Sequence, residues 1–240
     1  MSQKQRVEEQ PGFVLHTHPW RETSLIVEVF SRDFGRVALV AKGARRPQSP
    51  LRGLLMAFQP LLVSWTGGGE VKTLMRAEWC GGQPLLTGRA LMCGYYLNEL
   101  LFRLTAREDA HSSLFHAYSE AIGTLARTDF LAPTLRRFEL ALLRDLGYGI
   151  ELESDGESGE AVDATGEYLY IIERGPVRFE GEEGDLPTLS GQTLLDMARA
   201  EFSRPETLAQ SKGLLRMLIN HYLGGQTLQS RRVLKELQEL

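Results

Sequence analysis

The hydrophobic period of this chain changes once, near Pro84, and that change limits what the chain can fold into. Before it, apolar residues come in short runs: Phe13-Val14-Leu15, Leu25 to Phe30, Val37 to Val40, Leu61 to Trp65 and Val71 to Trp79. Leu25, Val27 and Val29 alternate with Ile26, Glu28 and Phe30, the two-residue period of a strand. Asp33-Phe34-Gly35-Arg36 and Gly67-Gly68-Gly69 supply turns, with Gly35 able to take positive φ. Five short strands joined this way predict a small barrel over residues 1–82, because closure removes exposed sheet edges. Ala44 to Gly53 breaks the pattern with Pro47, Pro50 and three arginines, and reads as an exposed basic loop.

After Pro84 the period becomes helical. Cys93, Tyr96, Leu97, Leu100, Leu101 and Leu104 mark one amphipathic helix, and Leu114 to Leu125 a second. A third runs from Leu131 to Leu146, with Gly147 as its stop. It carries two apolar stripes: Leu131, Leu135, Phe138, Leu142 and Leu146 on one side, and Arg136, Leu140 and Leu143 on another. The second stripe reads either as packing within the domain or as a shallow groove with a cationic edge. Such a groove suits a peptide that ends in an apolar residue and a carboxylate. Residues 151–187 read as an acidic insertion holding one hairpin, Tyr168 to Ile172 with Val177 to Phe179. Helices return near Ser190; Ser203-Arg-Pro-Glu206 reads as a capping box, Gly224-Gly225 as a stop, and Leu228 to Leu240 as a last helix. The expected fold is therefore α+β, with the barrel followed by a helical domain over residues 83–240.

Composition narrows the function classes. With 42% hydrophobic and 24% charged residues the chain is globular, and no apolar run approaches the ~20 residues that span a bilayer. Met1 to Gln10 is polar and lacks a secretory stretch, so a cytoplasmic protein with no membrane contact is expected, and a monomer is the expectation for its assembly state. Two cysteines, Cys80 and Cys93, exclude a disulfide framework and a four-cysteine zinc site, and their apolar neighbours predict buried thiols. The net charge of −4 conceals an asymmetry. Residues 1–83 hold 11 Lys and Arg against 7 Asp and Glu, whereas residues 151–187 hold 2 against 12. Arg32, Arg36, Lys42, Arg45, Arg46 and Arg52 share one stretch with a single anion, Asp33.

No nucleophile elbow, phosphate loop or calcium loop is present, so no catalytic residue, no cofactor and no metal are expected. His16 and His18 share a strand face, but two histidines without a third ligand do not make a metal site. The basic cluster on the rim of a small barrel is different, because such scaffolds carry grooves that track single strands by neutralising phosphates. Trp20, Phe34, Phe58 and Trp65 are the candidate stacking aromatics, each also suited to a core. A non-catalytic adaptor that uses barrel and groove for peptides is the alternative, and a hydrolase the third class.

Several strings occur together in order. They are Gly12-Phe-Val-Leu-His-Thr-His-Pro-Trp-Arg-Glu-Thr-Ser24, Gly35-Arg-Val-Ala-Leu-Val-Ala-Lys-Gly-Ala-Arg-Arg46, Leu51-Arg-Gly-Leu-Leu55, Phe58-Gln-Pro-Leu61 and Gly69-Glu-Val-Lys-Thr-Leu74. Tyr95-Tyr-Leu-Asn-Glu-Leu-Leu101, Leu135-Arg-Arg-Phe-Glu-Leu-Ala-Leu-Leu143 with Leu146-Gly-Tyr-Gly149, and Leu223-Gly-Gly-Gln-Thr-Leu-Gln-Ser-Arg231 follow. Together they resemble the RecO family of bacterial DNA repair proteins over nearly the whole chain. The resemblance implies an N-terminal OB-fold barrel and a helical domain. It implies a recombination mediator that binds single- and double-stranded DNA and anneals complementary strands. It also implies action with RecR, and with RecF in many bacteria, to load RecA onto DNA coated by single-stranded DNA-binding protein (SSB). The implied DNA contacts fall on Lys42, Arg45 and Arg46, with Arg36, Arg52 and Lys72 as neighbours. The implied contact with the SSB C-terminal tail falls on Arg136, with Leu140 and Leu143 added from helical spacing. Some members carry a four-cysteine zinc site after the Leu-Gly-Tyr-Gly string. Ile150 to Tyr170 holds no cysteine here, so zinc is not expected and the acidic segment should repel DNA.

Overall fold

The computed structural model describes residues 5–181 and 188–238, so residues 182–187 of the expected acidic insertion lie outside the described residues. The chain packs as two compact units, Met1–Asp129 with Leu228–Leu240, and Phe130–Thr227. The change of period near Pro84 thus marks where strands give way to helices, while packing groups the first helices with the barrel.

In the first unit β1 (Gln5–Trp20), β2 (Ser24–Ser31) and β3 (Gly35–Ala41) are followed by the short α1 (Leu51–Leu54), then β4 (Pro60–Gly67) and β5 (Val71–Trp79). The strands close into a barrel in the order β1-β2-β3-β5-β4. β1 is much longer than its apolar centre predicts. Its first half pairs with β4 and its second half with β2, and Gly12 and Phe13 pair on both sides. A Cβ on Gly12 would sit 2.9 Å from Val29 Cγ1, so glycine permits the crossing. Inward residues Val27, Val29, Val37, Leu39, Val63 and Trp65 fill the barrel. Gly35 has φ +61°, and a Cβ there would lie 1.7 Å from the Asp109 carbonyl oxygen, so that turn needs glycine twice over.

α2 (Gly88–Leu104) and α3 (Ser112–Leu125) pack on this barrel through polar as well as apolar contacts. Buried Asn98 donates to the Leu15 carbonyl at 2.9 Å and accepts from the Tyr118 hydroxyl at 2.5 Å. Phe13 meets the Tyr118 ring edge-on at 5.1 Å. On the outer face of β2, Glu28 is only 2% exposed. It accepts from Arg36 Nη1 at 3.3 Å and from Arg107, while Arg36 Nη2 donates to the Thr105 carbonyl at 3.0 Å. The Arg36 guanidinium also lies 4.8 Å from the centre of the Phe102 ring. This carboxylate joins the barrel to the segment after α2. Cys80 is exposed and Cys93 half-buried, so the expectation of two buried thiols fails: Cys80 follows the end of β5, beyond the core.

The second unit holds α4 (Leu131–Asp145), the hairpin β6 (Glu167–Ile171) and β7 (Gly175–Arg178), β8 (Leu189–Ser190), α5 (Gly191–Ala198) and α6 (Pro205–Tyr222). β8 pairs with β6, giving a three-stranded sheet that the sequence pattern did not reveal. Ser190 caps α5 by accepting from the Thr193 N–H. The expected cap at Ser203 is absent: Arg204 is the N-cap without a side-chain bond, and Pro205 with its fixed φ starts the helix. α7 (Gln229–Gln238) then rejoins the first unit, where Glu99 Oε2 accepts from the Ser230 N–H at 2.8 Å.

The acidic segment is built rather than merely solvated. Glu151 Oε1 accepts from the N–H groups of Leu152, Glu153 and Ser154. Asp155 accepts from Glu157 and Ser158 with one oxygen, and from the Arg178 N–H of the hairpin with the other at 2.7 Å. Asp163 accepts from both donors of Thr165. Backbone N–H groups, those of Glu153, Ser158 and Thr165 foremost, hold the three carboxyls below their usual range.

Two outcomes follow. Glu28→Ala leaves the half-buried Arg36 beside Arg107 without its carboxylate and should lower the unfolding free energy by about 3–5 kcal/mol in a denaturant titration. The three capping carboxyls have folded pKa values below their unfolded ones. Their stabilisation is present above the ordinary carboxylate range near ~4 and is lost as pH falls through the folded values. Amide protection factors over residues 151–178, taken against the intrinsic exchange rate at each pH, should therefore fall in acid, and Asp155→Ala should lower them at neutral pH.

Candidate nucleic-acid interface

The loop between β3 and β4 is ordered by its backbone. Successive bonds run from Ala44 N to the Ala41 carbonyl, from Arg46 N to Gly43, from Ser49 N to Arg46, from Arg52 N to Ser49, and from Leu55 N to Leu51. Ala44 and Leu55 are buried in the barrel cluster, with Leu51 packed against it, so the loop is pinned at both ends. Arg45 N donates to the Thr23 carbonyl at 2.8 Å, which holds the loop against the turn between β1 and β2. A chain fixed in this way does not lose its backbone freedom again on binding.

The cations of this loop point to solvent. Lys42, Arg45, Arg46 and Arg52 are all exposed, and none of the four forms an ion pair among the described residues. Arg45 Nη1 makes only a long 3.4 Å contact with the Arg21 carbonyl. Lys42, Arg46, Gln48 and Ser49 line an open groove on the loop's own surface. Four exposed cations within eleven positions form a field for polyanions.

The two other candidate cations are inside. Arg36 is spent on Glu28 and Thr105. Lys72 is 6% exposed and bound to Glu108. The fold brings both side chains against the segment after α2, where Thr105 and Glu108 lie. The aromatics divide similarly. Trp65 and Phe58 are core residues, and Phe34 packs edge-on against Trp65 at 5.4 Å. Trp20 is 42% exposed, with the Arg21 guanidinium 6.0 Å from its ring centre.

In the second unit the Arg136 stripe is covered. Leu140 and Leu143 are 1% and 0% exposed, so no open groove exists at these residues; the side of α4 that carries them is packed, as the plainer reading of the two stripes expects. Arg136 donates to Glu139 Oε1 at 2.7 Å, and its Nε, also buried, has no partner among the described residues. Among the described residues no group of three metal-ligating side chains comes together, and no helix is long and apolar enough to cross a membrane. His16 and His18 do meet, with ring centres 4.1 Å apart. Nothing local to Arg36 or Lys72 signals that Glu28 and Glu108 neutralise them, since the partners lie 8 and 36 positions away.

Comparison with known proteins agrees with a barrel followed by helices. Residues 2–83 match the family described as Recombination protein O N terminal, and residues 85–232 match Recombination protein O C terminal. A DNA repair protein RecO of Aromatoleum aromaticum is 74% identical over 240 residues, covering all of both chains. Proteins of the same name from an Azoarcus species and from Dechloromonas aromatica are 67% and 54% identical, again over the full length of both chains. With a closed five-stranded barrel, a following set of helices and matches across both halves, the chain belongs to the RecO family of DNA repair proteins.

Proposed function

We propose that this chain is a recombination mediator whose barrel, residues 1–82, binds single- and double-stranded DNA through Lys42, Arg45, Arg46 and Arg52. The observation that carries this reading is the pinned loop with four exposed cations that no carboxylate neutralises among the described residues. Phosphate neutralisation with counterion release gives affinity without sequence preference. Two complementary strands brought to one basic surface anneal because their local concentration rises. Action with RecR, and with RecF, to load RecA on SSB-coated single strands belongs to the same proposal, and family membership supports it.

Capture of the SSB tail at Arg136 is the second contact. Because Arg136 is bound to Glu139, an incoming carboxylate has to take the place of Glu139, and the cover over Leu140 and Leu143 has to open. Two modest contacts on one chain then act through effective concentration rather than strength at either site.

Fluorescence anisotropy of a labelled, unstructured single strand at several salt concentrations tests the first contact. Arg45→Glu with Arg46→Glu should weaken binding and flatten the log–log salt slope by at least about 1.4, at ~0.7 per lost phosphate contact. Lys72→Ala should leave the slope unchanged. Unchanged affinity in the double variant would refute the assignment of the loop. For the tail, Arg136→Ala should weaken a tail peptide and spare naked DNA. Arg136→Ala with Glu139→Gln removes the stranded carboxylate and separates lost binding from lost folding.

A further inference from the structure

The outer face of the barrel beside the basic loop carries a feature that phosphate neutralisation does not use. On β1, His16 pairs with Glu28, His18 with Ile26 and Trp20 with Ser24 of β2. The intervening β2 residues Leu25, Val27 and Val29 point into the barrel core, so His16, His18 and Trp20 share the outward face. All three are exposed. The two imidazoles meet edge to face at 4.1 Å, and the row from His16 to Trp20 runs about 13 Å along the strand. Its Trp20 end adjoins the turn whose Thr23 and Arg21 carbonyls receive Arg45, so the row begins where the cationic loop is pinned. An exposed aromatic row leading from a basic loop is the arrangement that stacks unpaired bases while cations hold the backbone. A duplex keeps its bases stacked on each other and cannot use it.

We propose that His16, His18 and Trp20 form a base-stacking track that makes the barrel prefer single strands to duplex, and that protonation of His16 tightens this track in mild acid. The proposal rests on the basic loop as the DNA contact and names the ligand class that the loop alone does not distinguish.

The surroundings of the pair fix the direction of the pH response. His16 faces His18 on its own strand, Glu28 on β2 and the uncharged Phe102 ring on α2 at 6.2 Å. Glu28 is itself held by Arg36 and Arg107, so its charge is already committed. Burial first, and then His18, lower the pKa of His16, with Glu28 opposing them. His16 is therefore neutral at pH 8 and gains its positive charge only as the pH falls into mild acid. Added charge on a surface that meets phosphates strengthens binding.

The test uses the full chain with a labelled oligothymidylate and a duplex of equal length, by anisotropy at fixed salt from pH 8 to pH 5.5. For the single strand, affinity of the unaltered protein should rise roughly three- to tenfold over that range. His16→Asn should abolish most of the rise. Trp20→Ala should weaken the single strand about fivefold or more at pH 8, with less effect on duplex and an unchanged salt slope. Circular dichroism and thermal melts check that each variant is folded. A pH response retained in the histidine variant overturns the protonation half. Equal loss of single strand and duplex in Trp20→Ala, or no loss, overturns the stacking track. If instead Arg45→Glu with Arg46→Glu leaves binding and salt slope untouched, the loop assignment itself has failed, and this outcome is distinct from both.

Discussion

One long strand that serves two partners makes the barrel possible, and the rest of the first unit depends on it. β1 pairs with β4 through its first half and with β2 through its second, and the overlap at Gly12 and Phe13 is where the sheet closes. Register shifts at Val7/Gln10 and at Val14/His16 bend the strand on either side of that point. Closure leaves no free edge and fixes the end of β3, from which the basic loop departs. The same bend sets which β1 residues beyond Val14 face solvent, and so where His16, His18 and Trp20 emerge.

Burial decides which cations can act on a partner. Six were candidates from sequence, and their formal charges are identical. Arg36 is committed to Glu28 and Lys72 to Glu108, where removing a partner costs stability, not recognition. Lys42, Arg45, Arg46 and Arg52 remain in water, where an isolated guanidinium does little for stability and is free to meet phosphate. Arg136 is buried with its anion already in place, so any carboxylate that binds there competes with Glu139.

Much of this was legible in the sequence. Alternation located the strands, the glycines located their turns, and the 3.6 period located α2, α3 and α4, because those signals act over neighbouring residues. The cationic loop was legible for the same reason: its charges and prolines are contiguous. What was not legible depends on distant partners. Glu108 lies 36 positions from Lys72, Asp155 bonds an N–H 23 positions away, and two-residue β8 exists only because β6 offers an edge. Ser203 had the pattern of a cap, yet proline at the first helical position starts α6 without it. Residues 151–163 looked like a charge run, whereas the side chains of Glu151, Asp155 and Asp163 are spent on turns.

The central claim is that DNA meets the loop over residues 42–52 and leaves the buried cations undisturbed. Amide hydrogen exchange with and without an oligothymidylate, at a salt concentration where binding is saturated, tests it most directly. Exchange should slow over residues 42–52 and around Trp20, with the acidic segment at residues 151–178 and the strand amides of Arg36 and Lys72 unchanged. Saturated binding with residues 42–52 unchanged, and slowing confined to other surfaces, would contradict it.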